Sequence, residues 1–266
     1  TGKIARKHNN VNRQITSTVA GLRAATRPFA IKLRTDTALI HDGFLRYMGE
    51  NAARESRWQV FSERVVTINL GCLDPRLIPG LFHVSDLFHA GRREDLLRLW
   101  ENPLAPEPET SQWLVGKPRP WIVWAPEGFF VRYVPEQYIW ISCLQRHGHA
   151  IQLRHPGDAP LRLAWISERL FLNNFRPVPI SELGLLFPPH LESGKNVGIH
   201  YTAENWSRLI ATTVAHRPSL RFRLDFGAAT LFCRARCIWR NYAGSHPHSP
   251  LVRLVRRARP LPKLSS

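Results

Sequence analysis

The stretch that reads most strongly as continuous interior is YIWISCL at residues 138–144, and it is only strand-sized. No apolar run approaches the ~18–20 residues that a membrane-spanning helix needs. The chain must therefore assemble its core from short pieces, each bounded by proline, glycine or charge. The material is there. Of the 266 residues 44% are hydrophobic, enough to bury a real core in one large domain or two small ones. That content also excludes disorder of the whole chain.

The order of the pieces predicts an α+β fold. Helical spacing predicts a basic helix over 10–24, with Ile15, Val19 and Leu22 on one stripe and Pro28 beyond its end. A second helix is expected over 35–56, capped by Asp36 or Thr37 and presenting Leu39, Ile40, Phe44 and Tyr47. WQVFSERVVTINL (58–70) reads as extended. Residues 85–103 read as a helix, best defined in REDLLRLW, with Leu96, Leu97 and Trp100 inward and Pro103 as its stop. The aromatic and β-branched runs between about 111 and 155 predict a small antiparallel sheet or partial barrel, flanked by helices, with a hairpin tip at His147-Gly148-His149.

Helices are expected again over 158–175 and 202–218, with PVPISELGLLFPPH between them as loop. LRFRLDF (220–226) alternates strictly and predicts a strand with Arg221 and Arg223 on one face. AATLFCRARCIWRNY predicts a helix burying Leu231, Phe232, Ala235 and Trp239. SPLVRLVRRA, with Ser249 as cap and Pro250 at the first helical position, predicts a short amphipathic helix. By composition the chain divides into a basic arm at 1–35, a mostly helical region at 36–103 and a Pro-rich linker or loop at 104–110. An α+β body at 111–243 and a basic tail at 244–266 follow.

The charge is unevenly placed. The net charge is +17, yet residues 36–206 hold seventeen cations and nineteen acids. Residues 1–35 hold eight cations and no acid, and residues 207–266 hold twelve cations and one acid, Asp225. Arginine outnumbers lysine 31 to 6, and its planar fork suits phosphate and stacked bases. A neutral body with basic ends points to an anionic partner, either nucleic acid or an anionic membrane surface. The expected phosphate contacts are Lys3, Arg6, Lys7, Arg13, Arg23, Arg27 and Arg34 at one end. At the other they are Arg221, Arg223, Arg234, Arg236, Arg240, Arg253, Arg256, Arg257, Arg259 and Lys263.

Motifs for chemistry are absent. There is no G-x-S-x-G elbow and no H-E-x-x-H, and ESGKN (192–196) lacks the glycine and hydroxyl of a phosphate loop. Cys143 near His147 and His149 is a chance pairing for a strand register to split. Cys233, Cys237, His246 and His248 form a candidate metal set, but their C-x3-C-x8-H-x-H spacing departs from zinc-finger patterns. No metal, no cofactor and no enzymatic activity are therefore expected. Four scattered cysteines fit a reducing compartment rather than a disulfide framework.

The neutral body, the Arg-rich ends, nine tryptophans and the lack of an active site make this chain similar to lineage-specific proteins of mitochondrial ribosomes. That resemblance implies a structural subunit whose arms contact rRNA and whose body packs on neighbouring ribosomal proteins. The acid-free first 35 residues, starting at Thr1, fit a binding arm behind a removed presequence and place the chain in the mitochondrial matrix. The alternative expectation is a non-catalytic subunit or assembly factor of an inner-membrane respiratory complex, its tail lying on anionic lipid. A free-standing enzyme acting on nucleic acid is a third.

Overall fold

A computed structural model describes residues 10–49, 52–117, 130–188, 198–211, 217–245 and 249–250. Among these residues seven α-helices surround a four-stranded mixed sheet and a two-stranded one, so the chain is α+β with a small sheet flanked by helices. The helices are α1 (Val11–Ala24), α2 (Arg93–Trp100), α3 (Pro135–Arg146), α4 (Leu161–Asn174), α5 (Ile180–Leu183), α6 (Ala203–Ala211) and α7 (Leu220–Ser245). The strands are β1 (Phe29–Leu33), β2 (Ala38–Leu39), β3 (Val65–Ile68), β4 (Phe88–Arg92), β5 (Phe175–Val178) and β6 (Leu185–Leu186).

The main sheet runs β1-β4-β3-β5, with β3 and β5 parallel and the other pairs antiparallel. Its central strand β3 is buried at all four positions and separates two cores. Val65 packs with Phe61, Trp140, Phe175 and the helices. Val66 and Ile68 face the other way, onto Phe44, Phe88, Val178 and Leu183. A strand covered on both faces carries few polar groups, and in VVTI the one hydroxyl, of Thr67, donates to the Phe88 carbonyl at 3.1 Å.

The sheet does not lie where the sequence placed it. Residues 135–146, expected as strand, form α3, and every side chain from Gln137 to Leu144 is buried. Pro135 starts the helix, where its missing N–H costs nothing. A helix sunk in the core on every side shows no polar face, so its apolar run mimics a strand. The expected runs at 118–129 lie outside the described residues. Of the real strands, β3 falls within the stretch 58–70 expected as extended, and the others do not lie in expected strands. β1 was passed over, β4 was absorbed into the helix expected over 85–103, and β5 and β6 fell at a helix end and in a loop.

The helix expected over 35–56 is replaced by β2, a 3-10 turn at Gly43–Tyr47 and irregular chain. That irregular chain is stitched down by buried polar side chains from elsewhere. Asn174 Oδ1 accepts from the amides of Val60 and Phe61 at 2.7 and 3.2 Å, and Asn173 Oδ1 accepts from Glu55 N–H at 2.7 Å. The Arg64 guanidinium donates to the carbonyls of Leu172, Ala52 and Ala53 at 2.7–2.9 Å. All but the bond to Leu172 satisfy backbone groups between Ala52 and Phe61 that no helix or strand pairs.

LRFRLDF is the opening of α7 rather than a strand. Phe222 and Phe226, four apart, turn inward and stack with ring centres 6.1 Å apart, while Leu220 and Leu224 point to solvent. Period-two alternation over seven residues contains an i, i+4 pair, so it fits a helix as well. Further along, Cys233 and Cys237 face the interior and Leu231 and Phe232 stay about two-thirds exposed, the reverse of the expected face. Arg221 and Arg223 consequently point to different sides of a helix.

Candidate functional site

The titratable side chains with the most disturbed surroundings meet where β1, the segment before β4 and the start of α3 converge. β1 supplies Lys32, the segment 81–87 supplies His83 and Asp86, and the first turn of α3 supplies Glu136. Asp86 is buried, and Lys32 donates to its backbone carbonyl. The ammonium also lies 4.7 Å from the Trp100 ring centre. Arg34, at the end of β1, is held by Asp36 through a bidentate pair at 2.8 and 2.6 Å.

Gly71 organises the imidazoles. Its carbonyl accepts from His83 Nδ1 at 2.6 Å and its N–H donates to His200 Nδ1 at 3.2 Å. One residue, through two successive peptide groups, thus sets both tautomers: His83 keeps a lone pair on Nε2, and His200 keeps its hydrogen there. The residue has φ +90°, and a Cβ would stand 3.2 Å from Ser85 Oγ, so glycine is needed twice over. His83 Nε2 faces Glu136 Oε2 at 3.9 Å. That is too long for a direct hydrogen bond, but one hydroxyl oxygen can stand within ~2.6–3.2 Å of both atoms.

Burial first, and then the negative charge of Asp86, raise the Glu136 carboxyl to about 8, against the pull of Lys32 and Arg34. About a quarter of its side chain still reaches solvent. Burial lowers Lys32 to about 8, opposed by Asp86. Burial lowers His83 and His200 to about 4, so both are neutral at pH 7. The cluster therefore holds a carboxyl poised near neutrality beside an imidazole lone pair.

A second polar region lies between α4, α6 and the start of α7. There Glu168, fully buried, takes a bidentate pair from Arg76 at 2.6 and 2.9 Å and a third bond from Arg169 at 2.9 Å.

The cationic residues expected as phosphate contacts are scattered. Lys3, Arg6, Lys7, Arg253, Arg256, Arg257, Arg259 and Lys263 lie outside the described residues. Arg13 and Arg27 are exposed at and beyond α1, and Arg23 pairs with Glu101. Arg223, Arg234 and Arg236 are exposed on α7, where Arg240 also lies. Arg221 alone of the set joins the second polar region. Of the candidate metal set, Cys233 and Cys237 are buried free thiols, and His246 and His248 lie outside the described residues. No group of three or more His, Cys, Asp or Glu side chains with metal-holding geometry occurs among the described residues.

Lys32, His83, Asp86, Glu136 and His200 were not singled out from the sequence. They span residues 32 to 200 with no motif spacing. Only the fold brings them together.

Residues 3–232 match the family described as WavE lipopolysaccharide synthesis. The chain belongs to this family. No curated protein and no solved structure matches it. Membership overturns the expectation of a mitochondrial ribosomal protein on rRNA, and with it the matrix location and the ribosomal neighbours. The respiratory-complex alternative falls too, because lipopolysaccharide belongs to the bacterial envelope. The physical reason for the error is plain. Clustered arginine reports affinity for an anion and does not say which one. Among the described residues no helix is long and apolar enough to cross a membrane.

Proposed function

We propose that this chain catalyses glycosyl transfer in lipopolysaccharide synthesis, with Glu136 taking the proton from an acceptor hydroxyl. In that step the acceptor oxygen bonds to the anomeric carbon of a phosphate-activated sugar. The bond from that carbon to the phosphate oxygen breaks, and the phosphate leaves with the electron pair. The observation that carries the reading is the Glu136–His83 pair, 3.9 Å apart and partly open to solvent. Glu136 Oε2 would accept the hydroxyl's one hydrogen, the His83 imidazole would wall that side of the oxygen, and Lys32 would offset charge when Glu136 ionises. Two facts support the choice of reaction. Lipopolysaccharide is joined mostly by glycosidic bonds. A cysteine nucleophile is disfavoured, because burial pushes the thiols of Cys72 and Cys143 up to about 12 and that of Cys233 to about 11.

The test is turnover of nucleotide-activated sugars onto a lipopolysaccharide core acceptor by the purified chain. Glu136→Gln should lower kcat by about 10²–10⁴-fold with KM little changed. The base works ionised, so wild-type activity should climb with pH through about 8. Full activity in the Gln variant, or a rate flat across that range, would remove Glu136 from the role.

A further inference from the structure

The second polar region encloses a cavity of about 200 Å³, walled by Trp165 and Phe222 and lined by Arg76, Arg169, Arg208, Arg217 and Arg221. Water occupies about 30 Å³ per molecule, so there is room for a tetrahedral oxyanion and its first waters. Five arginines line this one small cavity beside a single buried acid, Glu168. Glu168 is held by Arg76 and Arg169; Asp225 stands 3.6 Å from Arg76 and 3.8 Å from Arg221; Glu55 stands 3.8 Å from Arg169.

Two further observations point to a ligand. The Arg169 side chain is 93% buried, since 7% is exposed; Nη2 bonds Glu168 and Nη1 faces Glu55 Oε1 at 3.8 Å, but Nε finds no hydrogen-bond acceptor. Burying such a donor without an acceptor is costly unless something else satisfies it. The 26-residue α7 also begins at this cavity. Ser219 Oγ accepts from Phe222 N–H at 3.1 Å as its cap, and the first turn carries no acid. The first-turn amides lack intrahelical acceptors and carry the positive end of the helix dipole.

We infer that this cavity binds a phosphoryl group, held by the Arg169 fork and the start of α7 and rimmed by Arg217 and Arg221. The group has two possible sources: the diphosphate of an activated sugar donor, or a phosphate already on the saccharide acceptor. That choice of sources rests on the glycosyl-transfer reading. The site itself does not, and binding is measured without turnover.

The experiment is calorimetric titration of the full chain with inorganic phosphate, uridine diphosphate and glucosamine 6-phosphate. Arg217→Glu/Arg221→Glu changes two exposed rim residues, so folding should survive, and circular dichroism checks it. Arg13→Glu/Arg27→Glu makes the same charge change on exposed positions elsewhere. Charge-assisted bonds of this kind imply a loss of about tenfold or more at the rim and under about twofold in the control. Tighter binding of uridine diphosphate than of glucosamine 6-phosphate assigns the donor, and the reverse order assigns the acceptor; either supports the site. Equal losses in both double variants would mean a diffuse field and overturn it. So would the absence of binding of all three probes to the wild-type chain. Binding that persists in Glu136→Gln keeps the phosphoryl site even if no sugar transfer is found.

Discussion

The two polar regions of this molecule are built on opposite plans. Around Glu136 the fold mixes signs: a carboxyl, a carboxylate, an ammonium and two neutral imidazoles share one place, and several of them titrate far from their ordinary values. Around Arg169 the fold gathers one sign. Five guanidiniums line a cavity whose central carboxylate, Glu168, is already fully engaged. Mixed charge in a half-buried place moves protons between neighbours and suits acid–base work. Arginines in excess around one engaged carboxylate suit the holding of an anion rather than proton transfer. The difference teaches that perturbed titration and gathered charge are separate signals, to be weighed separately.

The contrast can be pushed hardest at Arg76. Arg76→Met leaves Glu168, wholly buried, with Arg169 alone, and should cost about 3–5 kcal/mol in chemical denaturation. A loss under about 1 kcal/mol would mean the triad is not what braces the cavity. Gly71→Ala acts on the other region. The positive φ and the close Ser85 hydroxyl should cost about 1–3 kcal/mol. Turnover should fall while phosphate affinity holds, and equal losses of both would erase the separation drawn above.

A subtler separation is thermodynamic. The folded chain keeps the Glu136 proton up to about pH 8, whereas the unfolded chain releases it near 4.5. Between those values the unfolded state binds fewer protons, so wild-type stability falls as pH rises through the window. Glutamine cannot ionise. The melting temperature of Glu136→Gln should therefore gain on wild type from pH 4.5 to pH 8 and hold its lead above. The buried histidines, lowered by burial, give stability that grows with pH up to about 6.5 in both proteins and cancels in the difference. A constant gap across the range would contradict the raised carboxyl. The smallest effect belongs to the outer side of α7. Leu231→Gln should move stability by under about 0.5 kcal/mol, since Leu231 is 67% exposed.

Much of the helical frame was legible in the sequence, because α1, α2 and α6 each bury one stripe and expose another, and α4 does so in its first two turns before Ser167–Asn174 sink into the core. What failed was the reading of elements covered on every side. α3 has no polar face to betray its period, and β4 looks like the start of the helix that follows it. The strict alternation of LRFRLDF fits two periods at once, and only the packing of Phe222 and Phe226 decides between them. The cluster around Glu136 was not legible, for a different reason. His83, Asp86, Glu136 and His200 become neighbours through a sheet whose strand order is non-sequential, and no local spacing encodes that. The alternation in LRFRLDF puts Arg221 on a strand face with Arg223, whereas the fold sets it at a helix start on the same cavity as Arg169.

Glu136 sits at the head of a helix whose next eight residues are all interior. Such a helix cannot slide, swivel or fray on its own, because every movement disturbs the core that surrounds it. Heating should accordingly leave no interval in which the molecule is still folded but its carboxyl is misplaced. Loss of the proposed activity and unfolding should trace one and the same curve, so that durability at this end of the molecule is decided by the core alone.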